Sequence, residues 1–398
     1  MEAIVVPDKE LEIRKKRVQK ALREKEIDAL FLVQRVDLYY LTGIRRRGIF
    51  YLPAEGEPLL FLDASPASEG DRPGIYETVR IASLEEVSPA IRDFYGTLPR
   101  TIGFELDVLP VADFHVYRGL FPGVECVDGA WCILEPRRIK SDWELARMEE
   151  AAQLTAQTFA YGKSVLRPGL EEMAFAALLE GFARVQGRER ERVRVRNYQT
   201  EGYEWHVLSG KSGGMVGLLD SPASGEGTSV AFPCGAGYKP IEVHEPVMVD
   251  FSFVFNEYHM DETRMFSLGP MEGKAMKACE ASIAIHDTVL SRVKPGVTVD
   301  ELFQCSVEKA GELGFGDQYL GPPGNKVTFI GHGIGLELVE GPIIAKGKKD
   351  LLQRGMTFAL EPKIVFQDEF IAGVESVFVV TEDGYRFLSK VPVEIFIC

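Results

Sequence analysis

Three apolar runs in the second half of the chain each carry one carboxylate near the middle. Val247–Phe255 is interrupted by Asp250, Met356–Phe366 by Glu361, and Ile371–Val380 by Glu375. Runs of this kind read as strands packed into a core. A buried carboxylate is costly unless it is paired, hydrogen-bonded or bound to a metal, so the fold must bring partners to all three. The segment Tyr258 to Phe266 adds Asp261, and Asn256-Glu257 before it suits the turn of a hairpin with the Asp250 strand. For Asp250 alone, backbone amides are an alternative partner. Ile330–Gly335 sets His332 among three glycines, which permit close backbone approach and help aim an imidazole. Four carboxylates beside one histidine cannot cluster without cations. Two divalent ions a few ångströms apart would balance them and hold a bridging hydroxide.

The surrounding chain suits an enzyme of this kind. Its 398 residues suffice for two domains. A net charge of -15 and a pI near 5.1 argue against nucleic acid as a partner. No stretch approaches the ~18 consecutive apolar residues of a membrane span, and MEAIVVPDKE lacks a secretory pattern. The six cysteines are scattered, with no framework spacing and no CxxC pair, so free thiols and a cytoplasmic location are expected.

Up to about residue 134, strands alternate with helices: Asp28–Val33 reads as a buried strand, and Gly48–Pro53 and Pro58–Asp63 as a strand pair. We therefore expect domains at 1–134 and 135–398. The second opens with a long helix from about Asp142 to Ser164, capped by Ser141 with Glu144 completing a capping box. An echo runs through it. Val165-Leu-Arg-Pro-Gly169 follows that helix, and Arg292-Val-Lys-Pro-Gly296 follows a second helix from Lys274 to about Ser291. The copies lie roughly 127 residues apart, and each precedes an acidic helix start. Two related halves are expected; coincidence is the alternative, since Pro-Gly is a common turn. The run Arg188 to Arg196 reads as a solvated face, and Lys346, Lys348 and Lys349 as an exposed loop that could draw an anion.

The order Asp250, Asp261 in Asp-Glu-Thr-Arg, His332 in Gly-His-Gly-Ile-Gly, Glu361 in Leu-Glu-Pro, and Glu375 resembles the pita-bread metallopeptidases, the branch of prolidase, aminopeptidase P and creatinase. The resemblance spans essentially the whole chain. It implies an α/β (α+β) architecture: a creatinase-like amino-terminal domain, then a pita-bread catalytic domain with an internal pseudo-twofold repeat. It also implies a dinuclear hydrolase of the Xaa-Pro dipeptidase or aminopeptidase class, acting on a small peptide or other small molecule. Asp250 would bind one ion, Asp261 and Glu375 would bridge both, and His332 and Glu361 would complete the other shell. Glu361 would be the general base. Manganese, cobalt, iron or zinc suit such ligands, and a homodimer is implied.

Some positions depart from the family pattern. A usual histidine is replaced by Cys234, a second by Val339, a usual arginine by Gly373, and a usual acid by Ser376. Valine can neither hydrogen-bond nor shuttle a proton. Cys234 is either a plain core cysteine or, with a lowered pKa, a nucleophile or ligand. His206 is a candidate for the substrate pocket; His259, on the face of Asp261, and His244 read more simply as ordinary histidines. These departures leave room for a non-peptidase chemistry on the same fold, a lyase or non-peptide hydrolase, or for a metal-free binding protein.

Overall fold

The chain between Asp8 and Arg138 alternates short apolar strands with helices, as its pattern predicts. The computed structural model describes residues 4–63, 75–189, 196, 205–217, 221–271 and 273–398. These divide into two compact units, one up to Arg137 and one from Arg138. The first contains α1 (Asp8–Glu24), β1 (Ala29–Leu32), α2 (Arg35–Thr42), β2 (Ile49–Pro53), β3 (Leu59–Asp63), β4 (Glu77–Ile81), α3 (Val87–Tyr95), β5 (Thr101–Phe104), α4 (Val111–Gly119), β6 (Glu125–Asp128) and α5 (Ala130–Arg138). Its sheet runs β4-β3-β2-β1-β5-β6, with β2 antiparallel to both neighbours and the other pairs parallel. Phe31, Phe61, Phe104 and Phe121 fill the core on one face.

The second unit begins with α6 (Asp142–Val165) and α7 (Glu172–Val185). The Ser141 side chain accepts from the Glu144 amide (3.2 Å) while the Ser141 amide donates to the Glu144 carboxylate (2.9 Å), closing the expected capping box. Then follow β7 (Trp205–Ser209), β8 (Val247–Phe255), β9 (Tyr258–Ser267), α8 (Gly273–Leu290), α9 (Val299–Glu312), β10 (Phe329–Gly333), β11 (Glu340–Ala345), β12 (Thr357–Leu360), β13 (Lys363–Phe366), β14 (Phe370–Gly373), β15 (Ser376–Val380), β16 (Tyr385–Phe387) and β17 (Phe396–Ile397). They pair as β17-β9-β8-β7, β11-β10-β12-β15-β16 and β13-β14. Asn256 and Glu257 both take positive φ (50° and 72°), the twist a two-residue hairpin turn between β8 and β9 demands.

The Pro-Gly echo has a structural counterpart. The Gly169 amide donates to Ile241 O (2.8 Å) and the Gly296 amide to Leu352 O (2.9 Å). Three residues on, the Glu172 amide meets Lys239 O (3.0 Å) and the Val299 amide meets Asp350 O (3.0 Å). Between them lie the matching bridges Glu171 to Pro240 and Thr298 to Leu351. The two helix pairs thus enter their halves through the same hydrogen bonds.

Two expectations need correction. The runs holding Glu361 and Glu375 are not continuous strands. Each breaks at its acid: β12 ends at Leu360 and β13 starts at Lys363, while β14 ends at Gly373 and β15 starts at Ser376. Pro362 has no N–H for a ladder, and the Glu375 amide turns to Thr263 O (3.0 Å). Nor is Arg188 solvated: it is 3% exposed, lies over the Phe251 ring and donates to Ser252 O (3.2 Å). Residues 190–195 of that run lie outside the described residues. Lys346, Lys348 and Lys349 are exposed.

Candidate metal centre

Each acid is positioned by a strand or a strand break. Asp250 lies mid-β8 and Asp261 mid-β9, while His332 comes from β10. A Cβ at Gly331 would lie 2.3 Å from Ala359 O, so glycine there lets β12 approach β10 beside the histidine. Glu361 and Glu375 project from the breaks, where the chain passes between the five-stranded and two-stranded sheets. The structure thereby gathers all five residues in one place.

Asp261, His332 and Glu375 each offer a ligand atom, and these atoms lie within 4.8 Å of one another. His332 Nε2 is 3.8 Å from Asp261 Oδ2 and 3.7 Å from Glu361 Oε1. On its other side, Nδ1 lies 3.0 Å from Gly333 O. A carbonyl only accepts, so the proton belongs on Nδ1 and Nε2 turns a lone pair toward the acids. Thr263 Oγ1 donates to Glu375 Oε2 (2.9 Å). Glu375 Oε1, fully buried, has no hydrogen-bond partner among the described residues. A buried carboxylate oxygen aimed into a cluster of donor atoms fits a divalent cation.

Asp250 and Glu361 face something else. Lys363 Nζ donates to Asp250 Oδ2 and to Glu361 Oε2, both at 2.8 Å, and its side chain is 3% exposed. Its register partner across β13 and β14 is Gly373, where a Cβ would lie 2.9 Å from Lys363 Cγ. Glycine at 373 makes room for the lysine stem. Lys363 is not among the residues expected at the site from sequence. The available signal was its spacing: two residues after Glu361, on the same side of an extended chain.

The electrostatics follow from the protein's own groups. Burial, then the charges of Asp250 and Glu361, pushes Asp261 well above the usual carboxylate range. Burial, then Asp261, Glu361 and Asp250, does the same to Glu375. Burial works upward on Asp250 too, but Lys363 and then His206 hold it below its ordinary value. Burial opposes charge on Lys363, yet Asp250, Glu361 and Glu375 keep its ammonium well above the ordinary lysine value.

The remaining candidates separate. His206 lies opposite Asp250 in the β7–β8 register, with Nδ1 3.9 Å from Asp250 Oδ2. Burial lowers its pKa, against the pull of Asp250. Cys234 is buried in the loop before β8, and Val339 is half-buried just before β11. His259 is a core histidine tied to Gly335 O (3.2 Å), and His244 reaches Pro270 O (2.9 Å). Ser376 Oγ accepts from the buried Arg264 (3.3 Å). All six cysteines are free, and no described helix is long and apolar enough to cross a membrane.

Comparison with known proteins gives the family. A model described as metallopeptidase family M24 matches residues 146–382, and one described as the creatinase/prolidase N-terminal domain matches residues 14–139. An uncharacterized peptidase of Staphylococcus epidermidis is 25% identical over 380 residues, covering 94% of this chain and 98% of its own. An Xaa-Pro dipeptidase of Pyrococcus furiosus is 24% identical over 383 residues, covering 95% and 97%. Among solved structures, an Xaa-Pro dipeptidase from Bacillus anthracis superposes with a TM-score of 0.83 at 23% identity, covering 98% of this chain and all of that one (100%). An X-Pro aminopeptidase from Thermotoga maritima gives 0.80 at 22% identity, covering 95% and 100%. At these identities the structural likeness speaks to the fold.

Proposed function

The chain belongs to metallopeptidase family M24, and we propose that it is a metal-dependent hydrolase of small peptides, of the Xaa-Pro dipeptidase class. The observation that carries this reading is the convergence of Asp261, His332 and Glu375, with the buried Oε1 of Glu375 lacking a partner among the described residues. In this reading the five residues do not act alike: Asp261, His332 and Glu375 hold a divalent ion, while Asp250 and Glu361 face a lysine. Manganese, cobalt, iron or zinc suits one imidazole among carboxylates. When bound, the ion supplies Lewis acidity toward a carbonyl and activates water.

The protein's own groups do the rest. Gly333 O fixes the His332 tautomer, and Thr263 fixes one oxygen of Glu375. Glu361 is the proposed general base: Lys363 anchors its Oε2, and its Oε1 faces the His332 side of the site. His206 borders the substrate pocket beside Asp250. Sequence charge supports a cytoplasmic enzyme, and the family resemblance supports a homodimer. The test is turnover: metal-loaded protein should cleave members of a panel of Xaa-Pro dipeptides and longer Xaa-Pro peptides. Inactivity across the panel with each of the four metals would refute the peptidase reading.

A same-fold enzyme with a non-peptide substrate is the second reading, supported by Lys363 among the acids and by Val339 where a histidine is usual. It expects metal-dependent conversion of a small molecule without peptide cleavage. Peptidase activity gained by Val339→His would favour it, by locating the loss in a missing proton-handling group.

A further inference from the structure

We propose that the Lys363 ammonium stands in for a second metal ion, so that the centre takes one divalent cation per chain, on Asp261, His332 and Glu375. This rests on the metal-centre reading above and deepens it.

The geometry separates the acids into two sets. Asp250 on β8 and Glu361 in the break between β12 and β13 each give an oxygen to Nζ at 2.8 Å. That is the length of a charge-assisted hydrogen bond on both sides. A divalent ion on these two carboxylates would sit beside a buried ammonium that already takes one oxygen of each, like charge against like charge. Among the described residues the other set carries no such cation: Asp261, His332 and Glu375 keep their ligand atoms within 4.8 Å, and Glu375 Oε1 has no donor.

Charge balance is compatible with this count: four carboxylates are offset to within one unit by one lysine and one divalent ion.

The lysine is also held in place. Its backbone carbonyl accepts from the Leu320 amide (2.9 Å), and its stem fills the space that any side chain at Gly373 would occupy. Lys363 therefore works as a fixed cation, a positioning residue that orients Asp250 and the Glu361 oxygen opposite His332. Unlike a metal, it cannot accept a lone pair from substrate or water; it can only donate.

The test is a metal count. The whole protein, loaded with Mn²⁺ or Zn²⁺ and freed of excess, is analysed by inductively coupled plasma mass spectrometry. Wild type should hold one ion per chain. Lys363→Met, which keeps the stem but frees both carboxylates, should hold two, and Lys363→Arg should remain at one. With Mn²⁺, electron paramagnetic resonance should give an isolated six-line signal in wild type and an exchange-coupled signal in Lys363→Met. Two ions per wild-type chain would overturn the proposal and leave the metal centre standing. One ion in wild type and still one in folded Lys363→Met would also overturn it, because the lysine would not set the count. No ion in wild type would sink the metal-centre reading itself. The wild-type count decides even if Lys363→Met fails to fold.

Discussion

Replacing Arg264 by Met should strongly destabilise the carboxy-terminal unit and loosen Glu375. Arg264 is fully buried. It donates to Pro392 O (2.6 Å), Thr263 O (2.8 Å), Val391 O (2.7 Å), Glu375 O and Ser376 Oγ, and its guanidinium lies 3.2 Å from Glu262 Oε2. Methionine fills much of the volume and makes none of these bonds. Thr263 O keeps the Glu375 amide (3.0 Å) and Pro392 O keeps the Glu394 amide (3.0 Å). The loss therefore falls first on Val391 O, Glu375 O and the Glu262 carboxylate. Stranding one partner of a buried ion pair costs about 3–5 kcal/mol, and an orphaned carbonyl about 1–3 kcal/mol. These terms overlap, so a total of roughly 5 kcal/mol is expected, equivalent to a fall in Tm of about 10–20 °C for a unit of this size. Urea unfolding followed by circular dichroism measures it. Glu262→Gln with Arg264→Met should recover part of the loss, since it removes the stranded charge. A loss below about 1.5 kcal/mol, near the cost of one ordinary hydrogen bond, would refute the argument that Arg264 braces the strand break bearing Glu375.

Two further outcomes follow from the same structure. Asp261→Ala, or treatment with a chelator, should abolish turnover, because each removes a ligand or the ion itself; a variant that kept wild-type metal content and activity would show the site to be misassigned. His286 is buried on α8, stacks on Phe387 at 6.0 Å, and has its pKa lowered by burial. With the folded value below the unfolded one of about 6.5, the unfolded chain binds more protons as pH falls. Its contribution is thus present above about pH 6.5 and lost below it, with a slope approaching ~1.4 kcal/mol per pH unit. The stability difference between wild type and His286→Leu should change between pH 8 and pH 5; a constant difference would contradict this.

Much of the molecule is written in local pattern. The runs around Asp250 and Asp261 announce a hairpin because alternation and turn chemistry act over a few residues, and β8 and β9 form there. Ser141 and Glu144 cap α6 for the same local reason. The repeated Pro-Gly turns were readable as an echo, and the sequence alone already placed five acidic and imidazole side chains in family order.

Other features depended on neighbours that the linear chain does not display. The Glu361 and Glu375 runs look like continuous strands, yet both break at the acid, because the Glu375 amide is claimed by Thr263 from β9 and Pro362 cannot join a ladder. Arg188 belongs to a charged run but is buried, since Phe251 and Ser252 O wait for it on a strand far along the chain. Lys363 is the clearest case. Its sequence context is an apolar strand, and its meaning comes from Asp250, which lies on another sheet. Side-chain type and spacing determined that cations must sit among these acids. Which cations, and that one of them is a lysine, was decided only when the strands converged, because Coulomb pairing depends on distance in space and not on separation along the chain.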